Sequence, residues 1–245
     1  MKQHEAVIQT LEDLGGVATL GQLYEKALKV SDCKWATKTP LASVRRIVQL
    51  RKEIYRIKPG LYGLVSKKAE NEARGVIAET EKNKDSVELT AFGHTYYQGL
   101  LLQVGSFRDH GCWCPNQDKN RIFLGKPLGS VRTIHELPAF SYAHFVQRST
   151  TIDVIWFNQR KMPHTFFEVE YSTDIQNSLL KFNDLQDFHV RMFIVSDVKR
   201  QKEYEQKIKY SSFSDISGRV SFLGYDWLVK QYEHEIEVSQ ATVAL

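Results

Sequence analysis

Residues 151–174, TIDVIWFNQRKMPHTFFEVEYSTD, decide the fold. They read as two β-strands joined by a short basic turn and followed by the start of a helix. In the first strand, residues 152–157, alternation puts Asp153 on the face opposite Ile152, Val154 and Trp156. The second, residues 165–171, is rich in aromatic and β-branched residues yet sets Glu168 and Glu170 side by side on one face. Thr173 and Asp174 then cap a helix in which Ile175, Leu179 and Phe182 recur at helical spacing.

Three carboxylates within apolar strands require a physical reason. Buried together they repel, and each is costly to desolvate without a partner. Alternation alone favours a simple account, in which Glu168 and Glu170 line the solvated face of an edge strand. The other account is a hard divalent cation, because Mg²⁺ takes one or two carboxylates together with water and a substrate phosphate.

The order of these pieces resembles the PD-(D/E)xK nuclease superfamily, which includes many restriction endonucleases. The matching parts are Ile152-Asp153-Val154-Ile155-Trp156, the run from Phe167 to Thr173, and Asp184-Leu185 at the end of the following helix. The resemblance implies that Asp153 and Glu168 hold Mg²⁺, for which Mn²⁺ can substitute, with the backbone carbonyl of Val169 between the acids as a further ligand. Lysine usually fills the third motif position and orients the attacking water; here it is Glu170, a variant shared by some restriction endonucleases. Glu170 would then accept a proton from water or bind a second metal, and Lys161 or Lys181 would supply the missing positive charge. With this resemblance the metal site is the preferred reading, and the implied catalytic set is Asp153, Glu168 and Glu170.

Composition is that of an ordinary globular protein, 42% hydrophobic and 25% charged, long enough for two modest domains. No run of 18 or more apolar residues is present, and the start of the chain reads as an amphipathic helix without an apolar signal core. Three cysteines, Cys33, Cys112 and Cys114, form an odd and sparse set suited to a reducing cytoplasm. Charge is uneven: residues 1–66 carry 11 Lys/Arg against 6 Asp/Glu, whereas the remainder is close to neutral. A basic front segment points to a polyanion partner.

Within residues 1–66 three helices and a hairpin are legible. Val7, Leu11 and Leu14 make one stripe, stopped by Gly15-Gly16. Thr19 to Gln22 has capping-box spacing, and Thr39-Pro40 places a cap and a first-turn proline before a third helix. Two short strands follow about a Pro59-Gly60 turn. This segment looks like the HARE-HTH family of winged helix-turn-helix domains, through LEDLGG (11–16), LYEKAL (23–28), Trp35, Thr39-Pro40 and YRIKPGLYGL (55–64). Such a third helix can enter the major groove, where Arg reads guanine and Gln reads adenine. Arg45, Arg46 and Gln49 are the candidates, with Arg56 and Lys58 of the wing against phosphates. The competing reading is a domain that docks on protein, with these side chains merely solvating a helix face.

The expected organisation is therefore α+β: a winged helix-turn-helix at 1–66, a charged linker at 67–86, and an α/β restriction-endonuclease-like domain with a mixed central sheet at 87–238. A helix at 89–105 carries His94, Gln98, Leu101 and Gly105, in a pattern the nuclease family shares. Gln98 and His94 there read as surface residues or as polar groups near the metal, and Asp118 has no role assigned. Cys112 and Cys114 read as small buried strand residues rather than zinc ligands. Arg121, Lys126 and Arg132 lie in an irregular stretch suited to phosphate contact or to simple solvation. The tail beyond residue 237 reads as disordered.

Double-stranded DNA is the expected partner, with a possible homodimer, no membrane contact and, for a restriction role, a cognate methyltransferase. The alternative is a DNA-binding regulator or a defence-complex component whose nuclease fold is inactive. The sequence holds no phosphate-loop, dinucleotide-binding or nucleophile-elbow motif.

Overall fold

The computed structural model describes residues 1–84 and 86–243, with side chains through residue 240. Asp85 of the expected linker and the last two residues of the expected tail lie outside them. The chain divides into two compact units: Met1–Phe92 together with the stretch from Val229 onward, and Gly93–Leu228.

The first unit begins with α1 (Gln3–Asp13), β1 (Val17–Thr19), α2 (Leu20–Lys26), α3 (Pro40–Leu50), β2 (Ile54–Lys58), β3 (Leu61–Leu64) and α4 (Lys68–Ala73). Gly15 and Gly16 stop α1 with φ of +80° and +88°, values that favour glycine. Thr19 and Gln22 close a full capping box on α2. Pro40 opens α3 as expected, but Thr39 makes no side-chain cap there. The strands form an antiparallel sheet in the order β1-β3-β2. Val7, Leu11, Leu23, Tyr24, Val44 and Val48 pack beneath it. The start of the expected linker is tied into this unit, since Asn71 Nδ2 donates to Gly16 O and to Tyr55 Oη at 3.4 and 3.3 Å.

The chain continues through α5 (Val87–Phe107), β4 (Gly111–Trp113), β5 (Ile122–Phe123), β6 (Lys126–Pro127), α6 (Leu128–Val131) and α7 (Ala143–Ser149). It ends with β7 (Val154–Phe157), β8 (Pro163–Glu170), α8 (Ile175–Asn183), β9 (Arg191–Ser196), α9 (Gln201–Lys207), β10 (Val220–Gly224) and α10 (Tyr225–Val243). The central sheet of the second unit has the order β10-β9-β8-β7-β4. β4 pairs antiparallel with β7 and β7 with β8, whereas β8, β9 and β10 run parallel, so the sheet is mixed. Parallel neighbours need crossovers, and α8 and α9 supply them. The apolar stripe of α8, Ile175, Leu179 and Phe182, joins Phe157, Phe166, Ile194 and Phe213 in the core. Cys112 on β4 and Cys114 just past its end are both buried, and burial pushes their thiols up to about 12 and about 11, as expected of inert small residues.

Two further expectations fail here. The tail is not disordered after residue 237, because α10 continues to Val243. From Val229 on, its side chains belong to the first unit: Tyr232 Oη lies 3.4 Å from Thr19 Oγ1, and a Cβ on Gly21 would meet Ile236 Cδ1 at 2.3 Å. Arg132 is no candidate for DNA phosphate either. It is buried, and its Nη1 donates to Cys114 O and Asn116 Oδ1, both at 2.9 Å.

Candidate active site

β7 and β8 carry the acids to one place. Asp153 sits immediately before β7, and pairing starts at Val154 opposite Phe167, so Glu168 to Glu170 extend past the end of β7. The Asp153 side chain occupies that gap. Its Oδ2 accepts the Val169 N–H at 2.8 Å, and its own N–H reaches Glu168 Oε1 at 3.3 Å. A strand residue directs its N–H and C=O to the same edge, so the Val169 carbonyl faces the Asp153 side as well.

Glu168 and Glu170 share a face, and both are buried, with relative exposures of 1% and 4%. That removes the solvated edge-strand account. What satisfies them is α8. Ser178 Oγ lies 2.9 Å from Glu168 Oε2 and also bonds Glu170 Oε1. Lys181 Nζ donates to Glu168 Oε2 at 2.7 Å and to Thr151 O at 2.9 Å. Ser178 and Lys181 are three apart on the helix and so present the same face. Thr173 donates to the other Glu170 oxygen instead of capping α8, and Asp174 alone caps it through Gln176 N. Ser196 Oγ and Tyr225 Oη donate to the Glu170 carbonyl at 2.6 and 2.9 Å.

The second wall comes from α5. His94 Nε2 is 3.1 Å from Asp153 Oδ2, while Gln98 Nε2 donates to Asp153 O at 2.8 Å and to Asp118 Oδ2 at 3.1 Å. Gln98 is fully buried, not a surface residue. Its Oε1 and the His94 Nδ1 have no partner among the described residues. Asp118, also buried, is closed on its other oxygen by Arg121 Nε at 3.0 Å.

The electrostatics differ between the two central acids. Burial pushes the Asp153 carboxyl up, but His94, Lys181 and the Val169 N–H outweigh it and hold it below the usual carboxylate range. Burial and the adjacent Asp153 charge drive Glu168 well above that range against the pull of Lys181 and Ser178. Glu170 is also raised by burial, only partly offset by Ser178 and Thr173. A site in which one carboxyl group is held ionised and its neighbour resists ionisation lacks positive charge. Oxygen donors of this kind suit a hard cation, which needs only one or two carboxylates beside water. Among the described residues no group of three or more His, Cys, Asp or Glu side chains is arranged to hold a metal ion.

The remaining candidates are scattered. Lys161 is exposed in the β7–β8 turn with φ of +59°. On α3, Arg46 and Gln49 are exposed, and Arg45 Nη2 pairs with Glu233 Oε2 of α10 at 2.9 Å while its guanidinium lies over the Tyr24 ring. Arg56 is exposed on β2. Lys58 is not placed for a phosphate. It is 5% exposed, its ammonium lies 5.6 Å from the Phe92 ring centroid, and burial pulls it down to about 8. The cause is a register shift between Arg56 and Lys58, which breaks alternation and turns both Ile57 and Lys58 inward.

Sequence reasoning gave Ser178, Tyr225, Ser196 and Asp118 no role in the site. For Ser178 a signal existed, since it shares a helical face with Lys181. A family model described as the type II restriction enzyme NmeDI C-terminal domain matches residues 75–242. No curated protein and no solved structure matches the chain.

Proposed function

The chain belongs to the family of the type II restriction enzyme NmeDI C-terminal domain, and from that premise we propose that it is a Mg²⁺-dependent endonuclease cutting double-stranded DNA at a PD-(D/E)xK-type site. The observation that carries the reading is the convergence of Asp153 and Glu168 at the end of a β-hairpin, in a cluster short of positive charge.

Asp153 and Glu168 would hold the ion, with the Val169 carbonyl directed to the same side. Bound there, a divalent cation supplies Lewis-acid polarisation of the phosphoryl oxygen and a water of lowered pKa. His94 and Gln98 fix Asp153 from side chain and backbone. Lys181 contributes the positive charge that the third motif position lacks. Glu170, with both carboxyl oxygens engaged by Ser178 and Thr173, holds the first turns of α8 against β8 and so positions Lys181. The first unit, built on its three-stranded sheet, serves as a winged-helix DNA reader through Arg46, Gln49 and Arg56, and Arg45 joins them when released from Glu233. Lys161 meets phosphate from the turn before β8. A cytoplasmic location, action as a homodimer and a protecting methyltransferase in the same cell complete the reading. No helix among the described residues is long and apolar enough to cross a membrane.

Plasmid cutting in Mg²⁺, compared between wild type and Asp153→Ala, tests this: loss of cutting in the variant is expected, and equal cutting removes the enzyme reading. One observation favours a second reading, a DNA-binding regulator or defence-complex component with an inactive nuclease fold. Both Glu168 and Glu170 are already hydrogen-bonded within the protein. Salt-dependent duplex binding by a wild type that never cuts would establish that reading.

A further inference from the structure

Residues 119–127 form a basic hairpin pinned beside the acids. β5 and β6 pair Ile122 with Pro127 and Phe123 with Lys126, and the two-residue tip, Leu124-Gly125, has φ of +49° and +79°. Positive φ at both tip residues is what a tight hairpin turn demands. The base is closed by Leu128 N to Arg121 O at 2.9 Å and Gly129 N to Lys119 O at 2.8 Å. Phe123 anchors it: the ring is 2% exposed and lies where a Cβ on Gly99 of α5 would sit, at 2.3 Å. The hairpin is thus clamped on the same helix that supplies His94 and Gln98.

From Lys119 to His135 the sequence contains no acid, and Lys119, Arg121 and Lys126 are exposed. Arg121 is the member tied to the site. Its Nε is held by Asp118 Oδ1, whose partner oxygen is held by Gln98, and the same Gln98 nitrogen holds the Asp153 carbonyl. Two hydrogen-bonded side chains therefore fix the guanidinium relative to Asp153. With Nε engaged and the side chain 44% exposed, its two terminal nitrogens remain as a planar fork.

We infer that Arg121 is a DNA-phosphate contact of the cleavage site, a fork held at a fixed distance from Asp153 by Asp118 and Gln98. The partner is an oxyanion rather than a base edge, because a guanidinium fork matches phosphate geometry and the neighbouring acid, Asp118, engages only its Nε. The inference rests on the nuclease reading above and adds a residue to it. A purely structural Arg121 would do no more than neutralise the buried Asp118.

The test is binding of a mixed-sequence duplex across a salt series, with Ca²⁺ in place of Mg²⁺, by wild type, R121Q and the D118N/R121Q pair. The double variant removes the buried acid that R121Q leaves with a neutral partner, so a folded protein remains to be measured. Both variants are expected to bind more weakly than wild type, with the slope of log affinity against log salt reduced by about one. Affinity and slope equal to wild type, with only a lowered melting temperature in R121Q, would overturn the inference. A wild type that binds no duplex overturns both the inference and the proposed function. A wild type that binds with the expected slope difference but does not cut in Mg²⁺ sinks the function and leaves the phosphate contact standing.

Discussion

Lys181 Nζ lies 2.7 Å from Glu168 Oε2, and the glutamate side chain is only 1% exposed. This pairs a cation from the helix with an acid from the strand, across 13 positions of sequence. Lys181→Met should cut plasmid cleavage by on the order of 10²-fold, the usual cost of deleting a preorganised electrostatic partner. It should also destabilise the fold by about 1–3 kcal/mol, because a buried acceptor loses its donor. Single-turnover cleavage and denaturant unfolding read the two effects. Wild-type cleavage by the variant would remove Lys181 from the site chemistry.

Glu170 and Glu168 are expected to respond differently to the same change. Glu170→Gln keeps an oxygen for Ser178 or Thr173 and should stay within about tenfold of wild-type cleavage, under ~1.4 kcal/mol of barrier. Glu168→Gln removes the carboxyl group that would ligate the ion beside Asp153 and should fall by on the order of 10²–10³-fold. Parallel rate measurements at saturating Mg²⁺ separate them, and matching losses would assign Glu170 a direct part in the reaction.

Lys58 gives a pH signature in the first unit. Its folded pKa of about 8 lies below the ordinary 10.5, so between those values the unfolded chain binds more protons than the folded one. Stability attributable to this residue therefore rises with pH across that window. Lys58→Met cannot titrate. The margin by which it exceeds wild type should narrow by up to about 3 kcal/mol from pH 8 to pH 10.5. Urea unfolding of both proteins at several pH values measures this, and a constant margin would show that the ammonium is not desolvated.

Gly105 lets α5 lie against β4 and β7. A Cβ there would stand 2.4 Å from Trp156 Nε1 and 2.5 Å from Cys112 Sγ, next to the 3.0 Å hydrogen bond from Trp156 to Leu101 O. Gly105→Ala should destabilise the fold by about 1–3 kcal/mol, the range for overpacking. An unchanged unfolding midpoint would mean that the helix shifts freely.

The acid-bearing hairpin was legible because it obeys a period of two, and α8 because its apolar stripe obeys 3.6. The sequence reading carried the first strand back to residue 152. In the structure it begins at Val154, since the Asp153 carboxylate, not its backbone, meets the Val169 N–H. Lys58 was misread because a bulge has no signature in alternation. The Arg45–Glu233 pair spans 188 positions and lies beyond any local pattern. Asp118 and Gln98 were visible as polar residues, but only the fold shows that they meet.

Because α10 places Tyr232, Glu233 and Ile236 against Thr19, Arg45 and Gly21, the stretch from Val229 onward folds as one body with the first 92 residues. Severing the protein at the charged linker would not yield an intact amino-terminal module. The fragment would bare the surface around Gly21 and Thr19 and leave Arg45 without its acid. A carboxy-terminal truncation would injure the front of the protein before the nuclease-like half. Any dissection into halves has to carry the last helix with the first residues.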